Sequence, residues 1–303
     1  MANQAQKAFI LTGPTSGIGY RTALELAKHG TLVLVGRSPE KLAEVKRELE
    51  QRGHSAVTVV CDLAEPTSVT RAVAEIVALK LPITGVLNNA GVMQTKATQN
   101  SLGWDSTFAT NHLGTFLFTE QLLPHLAEGA DVVNVASGVE DPERKLAVMA
   151  GFRGGRFISV EAGARGEWRP GGSKLSGADA YATSKQALLA ATFALARENP
   201  RLRINALEPG FTPNTSLARD ANAFVRVLSN YVLPLFAPFL PLWSTPQRAA
   251  RVATQAVLNP ARHTGVYFDE RGKLMEPSKE SQDVEFQNRV VAETRAFLAR
   301  AAA

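Results

Sequence analysis

The stretch Ala8-Phe9-Ile10-Leu11-Thr12-Gly13-Pro14-Thr15-Ser16-Gly17-Ile18-Gly19 is a short apolar run that breaks into glycines and then continues as a helical pattern to about His29. Strand, glycine-rich turn and helix, in that order, bring the free N–H groups of a helix N-terminus to one point, where they can receive a phosphate. Gly13 permits the sharp turn, Gly17 lets the backbone approach a pyrophosphate, and Gly19 allows the helix to pack closely on the strand. The spacing is GxxxGxG, a variant of the GxGxxG dinucleotide fingerprint. Thr15, Ser16 and Ile18 lie between these glycines and join them as candidate cofactor contacts. A plain glycine turn fits the same residues, so the rest of the chain has to decide.

Thr31-Leu-Val-Leu-Val-Gly36 reads as a second buried strand, and Ser38-Pro39 as a helix start, with Ser as cap and Pro in the first turn. The end of this second strand is where a dinucleotide fold reads the adenosine ribose. An acid there accepts from a free 2′-OH, whereas Arg accommodates a 2′-phosphate. Here Arg37 follows Gly36, with no acid until Glu40, which favours NADP over NAD; a solvated strand-end charge is the alternative. Residues 55–60 give a third strand leading to Cys61-Asp62-Leu63, with Asp62, and Leu63 beside it, placed to meet an adenine edge. After a further helix, Gly85-Val-Leu-Asn88-Asn89-Ala90-Gly91 ends a fourth strand in small residues, where backbone can lie against a flat cofactor. Strands alternating with helices imply an α/β fold with a parallel sheet, right-handed crossovers and a ligand crevice at the strand C-terminal ends.

The composition agrees with this class. The 303 residues are 45% hydrophobic and 20% charged, enough apolar material for a large core and unlike a disordered chain. The single cysteine, Cys61, excludes an internal disulfide and a multi-cysteine metal site, and no metal is expected. A net charge of +5 raises the question of polyanionic partners, but Lys and Arg are interleaved with acids rather than gathered into one patch. Nucleic-acid binding is therefore not expected, whereas a phosphate-rich cofactor needs only a local basic site. The opening Met1-Ala-Asn-Gln-Ala-Gln-Lys7 lacks the zones of a signal peptide, which points to a cytoplasmic protein.

Farther on, a helical region is expected from about Ser101 to Ala127, with Asn111 inside it. Residues 131–136 form a fifth strand, and Ser137 at its end puts a hydroxyl at the mouth of the same crevice. Tyr181-Ala-Thr-Ser-Lys185 can put a phenol and an ammonium side by side, because positions i and i+4 share a helix face. An ammonium held there favours the phenolate and lowers a pKa that is ordinarily about 10, making Tyr181 a candidate proton donor or acceptor. Taken alone, the pair could equally be a solvated helix face.

The ordered set Thr12-Gly-x-x-x-Gly-Ile-Gly19, Asn88-Asn-Ala-Gly91, Asn111, Ser137, Tyr181-x-x-x-Lys185 and Pro209-Gly210 resembles the short-chain dehydrogenase/reductase family over roughly residues 7–215. The resemblance implies a single-domain, doubly wound Rossmann fold of about seven strands with helices on both faces, and catalysis by Asn111, Ser137, Tyr181 and Lys185. It implies that Ser137 and Tyr181 polarise a substrate carbonyl and that Tyr181 and Lys185 also touch the cofactor. Lys185 would hold the nicotinamide ribose, Asn111 would anchor a proton-relaying water, and Pro209, Gly210 and Thr212 or Thr215 would border the carboxamide. The implied activity is NADP-dependent interconversion of a carbonyl and an alcohol. A cofactor-sensing binding protein on the same fold, or a membrane-associated retinoid or lipid dehydrogenase, are the rival readings.

Two stretches depart from the family pattern. Tyr181 lies 44 positions beyond Ser137, and the intervening insertion, 138–178, carries Arg153, Arg156, Arg165, Arg169 and Lys174. Retinol-dehydrogenase-like and carbonyl-reductase-like members carry insertions here. Such a segment can cover the helices that relatives use to associate, so a monomer is as acceptable as a homodimer. Pro213 departs from the usual nicotinamide loop. The apolar run from Ala221 to Trp243 is interrupted by Pro234, Pro238 and Pro241 and is too short to span a membrane. By position it resembles the family's substrate lid, about 212–245, implying a bulky apolar ligand; a packed surface element or peripheral membrane contact are the alternatives. Thr245-Pro246 starts another helix, Gly265-Val-Tyr-Phe268 gives a last strand, and an amphipathic helix runs from about Ser281 to Arg300.

Overall fold

Apolar runs too short for helices become strands, and those in the middle of the sheet are buried on both faces. In the computed structural model, which describes residues 7–210 and 245–302, these are β1 (Ala8–Thr12), β2 (Thr31–Gly36), β3 (Ala56–Val60), β4 (Ile83–Asn88), β5 (Asp131–Val135), β6 (Arg203–Leu207), β7 (Tyr267–Phe268) and β8 (Leu274–Met275). Their order across the sheet is β3-β2-β1-β4-β5-β6-β7-β8. The first seven run parallel, and β8 is antiparallel to β7. The sequence pointed to about seven strands. The two-residue β8 escapes sequence reading because it is a hairpin return with only Tyr267 and Phe268 as partners.

Alternate residues of each strand feed opposite cores, as the two-residue repeat of a strand requires. Ile10, Val33, Val86, Val132 and Ile204 face one layer of helices. Leu11, Leu34, Leu87, Val133 and Leu207 face the other. The second layer contains α1 (Gly17–Leu26), α2 (Pro39–Gln51) and α9 (Pro246–Leu258). The first contains α3 (Pro66–Ala78), α5 (Thr115–Leu122), α8 (Ala178–Glu198) and α11 (Val284–Ala302). Two helix starts follow the cap-then-proline rule: Ser38 Oγ accepts from the Lys41 N–H, and Thr245 Oγ1 from the Arg248 N–H.

The helix expected from Ser101 begins later. The Asn100 side chain accepts from the N–H groups of Leu102 and Trp104, and Gly103 takes a left-handed φ of 76°, which winds residues 101–105 into a turn. Asp105 then caps α4 (Ser106–Phe108) through the Phe108 N–H at 2.8 Å. Between α4 and α5 the backbone widens into a π-helical segment, Ala109–Gly114, and Asn111 sits within it.

The 138–178 segment folds onto the body through α6 (Lys145–Met149) and α7 (Val160–Ala164), with Phe157 and Val160 in the core. Its basic residues are largely engaged. Arg165 pairs with Glu161 and Glu167, Arg169 with Glu280, and Arg156 donates to the carbonyls of Arg169 and Pro170. Glu140, fully buried, accepts from the N–H and hydroxyl of Ser278 and from the Ser281 hydroxyl, which ties α10 (Lys279–Gln282) to the end of β5. α11 packs along α8, so Tyr181 through Ala196 are buried on every side.

Candidate active site

Thr12 closes β1, and its Oγ1 accepts from the N–H groups of both Asn89 and Ala90 at 3.0 Å. The Asn89 amide donates back to the carbonyls of Thr12 and Gly13, at 3.0 and 3.1 Å. The glycine turn and the end of β4 are thereby stitched together, and the Asn89 side chain serves the turn's shape. Gly13 and Gly17 have φ of 67° and 55°, the left-handed region that glycine enters without strain. A Cβ on Gly19 would run into the Gly13 carbonyl, so close helix–strand packing does demand glycine there. Ser16 caps α1 in extended conformation, and Thr15, Ser16, Gly17 and Ile18 are all half-buried at the turn.

The remaining cofactor candidates line the same edge. Arg37 is exposed just past β2. The Asp62 carboxylate is oriented by the Ala64 N–H at 3.0 Å, while the Asp62 N–H donates to Ser68 Oγ. Leu63 differs: its side chain is part of the core, and its carbonyl backs onto Gly114, leaving only backbone for a ligand. Pro209 and Gly210, with φ of 74° at the glycine, follow the end of β6. Thr212, Thr215 and the lid residues 212–244 lie outside the described residues.

The structure brings the four catalytic candidates together. Ser137 follows β5, and its hydroxyl lies near enough to the Tyr181 phenol to oppose the rise that burial gives its pKa. Asn111 accepts from the Val92 N–H and donates to the Val92 carbonyl, both at 2.8 Å, and donates to Ser184 Oγ at 3.0 Å. Ser184 in turn donates to the Tyr181 carbonyl at 2.7 Å. Ser184 was not among the sequence candidates, although its place beside Lys185 on a helix facing Asn111 was the available signal. A Cβ on Gly91 would lie 3.3 Å from both Asn111 Oδ1 and Lys185 Nζ, so the glycine keeps a gap open between them.

One expectation is corrected. Burial pushes the Tyr181 phenol up to about 12, with the Ser137 hydroxyl opposing and the Glu208 charge adding to it. Burial also pulls Lys185 down to about 8. The ammonium does not counter the phenol's desolvation, because it donates to the Val135 carbonyl at 2.7 Å and stands 5.8 Å from the Tyr181 ring centre. A neutral phenol follows near pH 7.

A glycine cradle at the switch point between β1 and β4, with Ser, Tyr, Lys and Asn at the same strand ends, defines an oxidoreductase of the dinucleotide-binding Rossmann class. Residues 7–151 match the family of short chain dehydrogenases. Retinol dehydrogenase 13 of Homo sapiens is 31% identical over 298 residues, covering 95% of this chain and 83% of the relative. Polyprenol dehydrogenase of Homo sapiens is 29% identical over 264 residues, covering 83% and 72%. A solved protein from Beutenbergia cavernae, assigned as an NAD(P)-dependent gluconate 5-dehydrogenase and holding NADP at low occupancy, superposes with a TM-score of 0.64. It is 25% identical and covers 89% of this chain and 96% of its own. The chain belongs to the short-chain dehydrogenase/reductase family, whose members act on alcohol and carbonyl groups with a nicotinamide cofactor. Among the described residues, no helix is long and apolar enough to cross a membrane.

Proposed function

We propose that this protein is an NADP(H)-dependent oxidoreductase that interconverts a carbonyl and an alcohol on a bulky apolar substrate, with Tyr181 as general acid/base. The observation that carries the reading is the Ser137 hydroxyl set beside the Tyr181 phenol at the crevice edge, next to the gap that Gly91 keeps between Asn111 and Lys185.

The left-handed Gly13 and Gly17 at the N-terminus of α1 fit a dinucleotide phosphate, and the exposed Arg37 fits a 2′-phosphate. Tyr181, Lys185, Pro209 and Gly210 would hold the nicotinamide half. When bound, NADPH supplies the hydride. Ser137 and Tyr181 hydrogen-bond the substrate oxygen, polarising the carbonyl and stabilising the developing alkoxide. Tyr181 then delivers its proton to that oxygen. A phenol pushed up to about 12 holds this proton at neutral pH, which favours the reductive direction. Asn111 fixes the backbone at Val92 beside Lys185, consistent with the water-relay role that the family suggests for it. The apolar substrate class is supported by the names of the relatives, a retinol and a polyprenol dehydrogenase.

A panel of aldehydes, ketones and alcohols offered with NADPH, NADH and their oxidised forms tests the reading, with Tyr181→Phe as control. NADPH oxidation by at least one apolar carbonyl is expected. Tight NADPH binding without turnover across the panel would favour a cofactor-sensing protein instead.

A further inference from the structure

β6 ends in the apolar pair Ala206-Leu207, and the next residue is an acid. Glu208 is 8% exposed, lies just before Pro209, and meets Arg144 from the segment after β5. The guanidinium comes to 2.6 Å from Glu208 Oε2 but off the angle of a directed hydrogen bond, so it attracts by charge alone. The Gly138 N–H also lies against the Glu208 carboxylate and favours its charged form. Arg144 closes over the same glycine from another side, since a Cβ there would sit 2.6 Å from its Cζ, Nε and Nη1. The residue directly after Ser137 is therefore held between a carboxylate and a guanidinium. Before Ser137, the Ala136 N–H donates to the Leu207 carbonyl at 2.8 Å, which places β6 under both neighbours of the catalytic serine.

We propose that Arg144 and Glu208 form a clamp on Gly138 that positions the Ser137 hydroxyl against Tyr181, and that the charge on Glu208 sets the strength of this clamp. The inference rests on the reading of Ser137 and Tyr181 as the catalytic pair.

The groups acting on Glu208 are Arg144, Asp269 and Glu270. Tyr181 and Tyr267 both feel its charge, and Glu140 and Arg144 also act on Tyr267. The Tyr267 hydroxyl is buried without a hydrogen-bond partner among the described residues. Arg144 is the one cation in this group, set against several acids. Burial raises Glu208 to about 7, with Arg144 and the Gly138 N–H opposing. Above that pH the carboxylate is charged and draws Arg144 onto Gly138; below it the pair loses its attraction and Ser137 its support. Glu208 and Arg144 thus act through Ser137 as positioning residues.

The test is the pH dependence of kcat with the carbonyl compound that the panel reduces fastest, at saturating NADPH. For the wild type, kcat is expected to rise through about pH 7. Glu208→Gln keeps an acceptor for the Gly138 N–H but carries no charge, so it should stay on the wild-type low-pH plateau at every pH. Arg144→Gln should do the same, and both should bind NADPH with unchanged Kd, read by fluorescence. With Ser137 present, Glu208→Gln should lower kcat at pH 8 by about 3- to 10-fold, the scale of a small misplacement of a catalytic group. In a Ser137→Ala background it should change kcat by less than about twofold, because the two residues act as a unit. A wild-type pH profile for Glu208→Gln, or an equal loss with and without Ser137, overturns the clamp. If Tyr181→Phe and Ser137→Ala turn over normally, the catalytic reading itself has failed. Hydrogen exchange of the peptide carrying Gly138 needs no turnover: it should be faster in Glu208→Leu than in wild type, and equal protection also overturns the clamp.

Discussion

Lys185 turns its ammonium to the carbonyl of Val135, 2.7 Å away, rather than toward the phenol of Tyr181 one helical turn before it. That carbonyl lies two residues before Ser137, so the lysine is fastened to the strand that delivers the candidate serine. The same ammonium stands over the Tyr181 ring, 5.8 Å from its centre.

The buried ammonium has a cost in stability that can be measured. Lys185 sits at about 8 in the folded protein against an ordinary 10.5. The unfolded chain binds the extra proton between those values, so stability rises with pH across that window, and the penalty is fully present below it. Lys185→Met should therefore raise Tm at pH 7 by about 2–4 °C, as for roughly 1 kcal/mol in a domain of this size, while lowering turnover. Thermal unfolding at pH 7 checks it; a lower Tm would contradict the assignment of a desolvated ammonium.

Tyr181→Phe keeps the ring and its packing near Phe152, whose ring centre is 6.5 Å away, and removes only the hydroxyl. Turnover should fall by about 10²-fold or more, the usual scale of general acid assistance, with NADPH affinity preserved. Steady-state NADPH oxidation together with fluorescence titration separates the two effects.

Arg37→Asp replaces an exposed cation at the end of β2 with an acid. The ratio of NADPH to NADH affinity should drop by about 10-fold or more, the size of one hydrogen bond to a charged phosphate. An unchanged ratio would show that Arg37 does not read the 2′-phosphate.

His112 is fully buried beside Asn111, with Nε2 at 2.9 Å from Thr294 Oγ1, and burial holds it at about 3 against an ordinary 6.5. The unfolded chain protonates first, so the folded state loses stability as pH falls below 6.5. His112→Phe fits the rings of Phe108 and Phe116 and removes this liability. Chemical denaturation at pH 4.5 and 7.5 should show the variant less acid-sensitive, by on the order of 2 kcal/mol.

The strands were readable because a parallel sheet buried on both faces leaves largely apolar runs, as in Ala8–Thr12, followed by Gly13, and Thr31–Gly36, which ends in glycine. The candidate set was nameable because Ser137, Tyr181 and Lys185 offer chemistry that few other residue types supply, and the fold brings them to the same strand ends. Other features depended on contacts far along the chain. The start at Ser106 depends on how Asn100 folds its own loop, and the widened turn at Asn111 on neighbours that periodicity does not report. The phenol's elevation could not be read from Tyr181 and Lys185 alone, since it depends on burial and on the distant Glu208. Glu208 itself carried a faint mark, an acid between the buried end of β6 and Pro209.

α11 reaches both sides of the catalytic architecture: Thr294 meets His112 next to Asn111, and Glu293 accepts the N–H of Val160 in the inserted segment. During synthesis, α11 leaves the ribosome after every candidate site residue. Until it arrives, the Ala-rich flank of α8 lacks the cover of α11 and the segment bearing Asn111 lacks its brace, so the nascent chain carries these residues in an unfinished frame. Maturation of the site is thereby a late, tail-dependent event in the life of each molecule, and a ribosome stalled before residue 279 would display an apolar helix where the finished enzyme displays none.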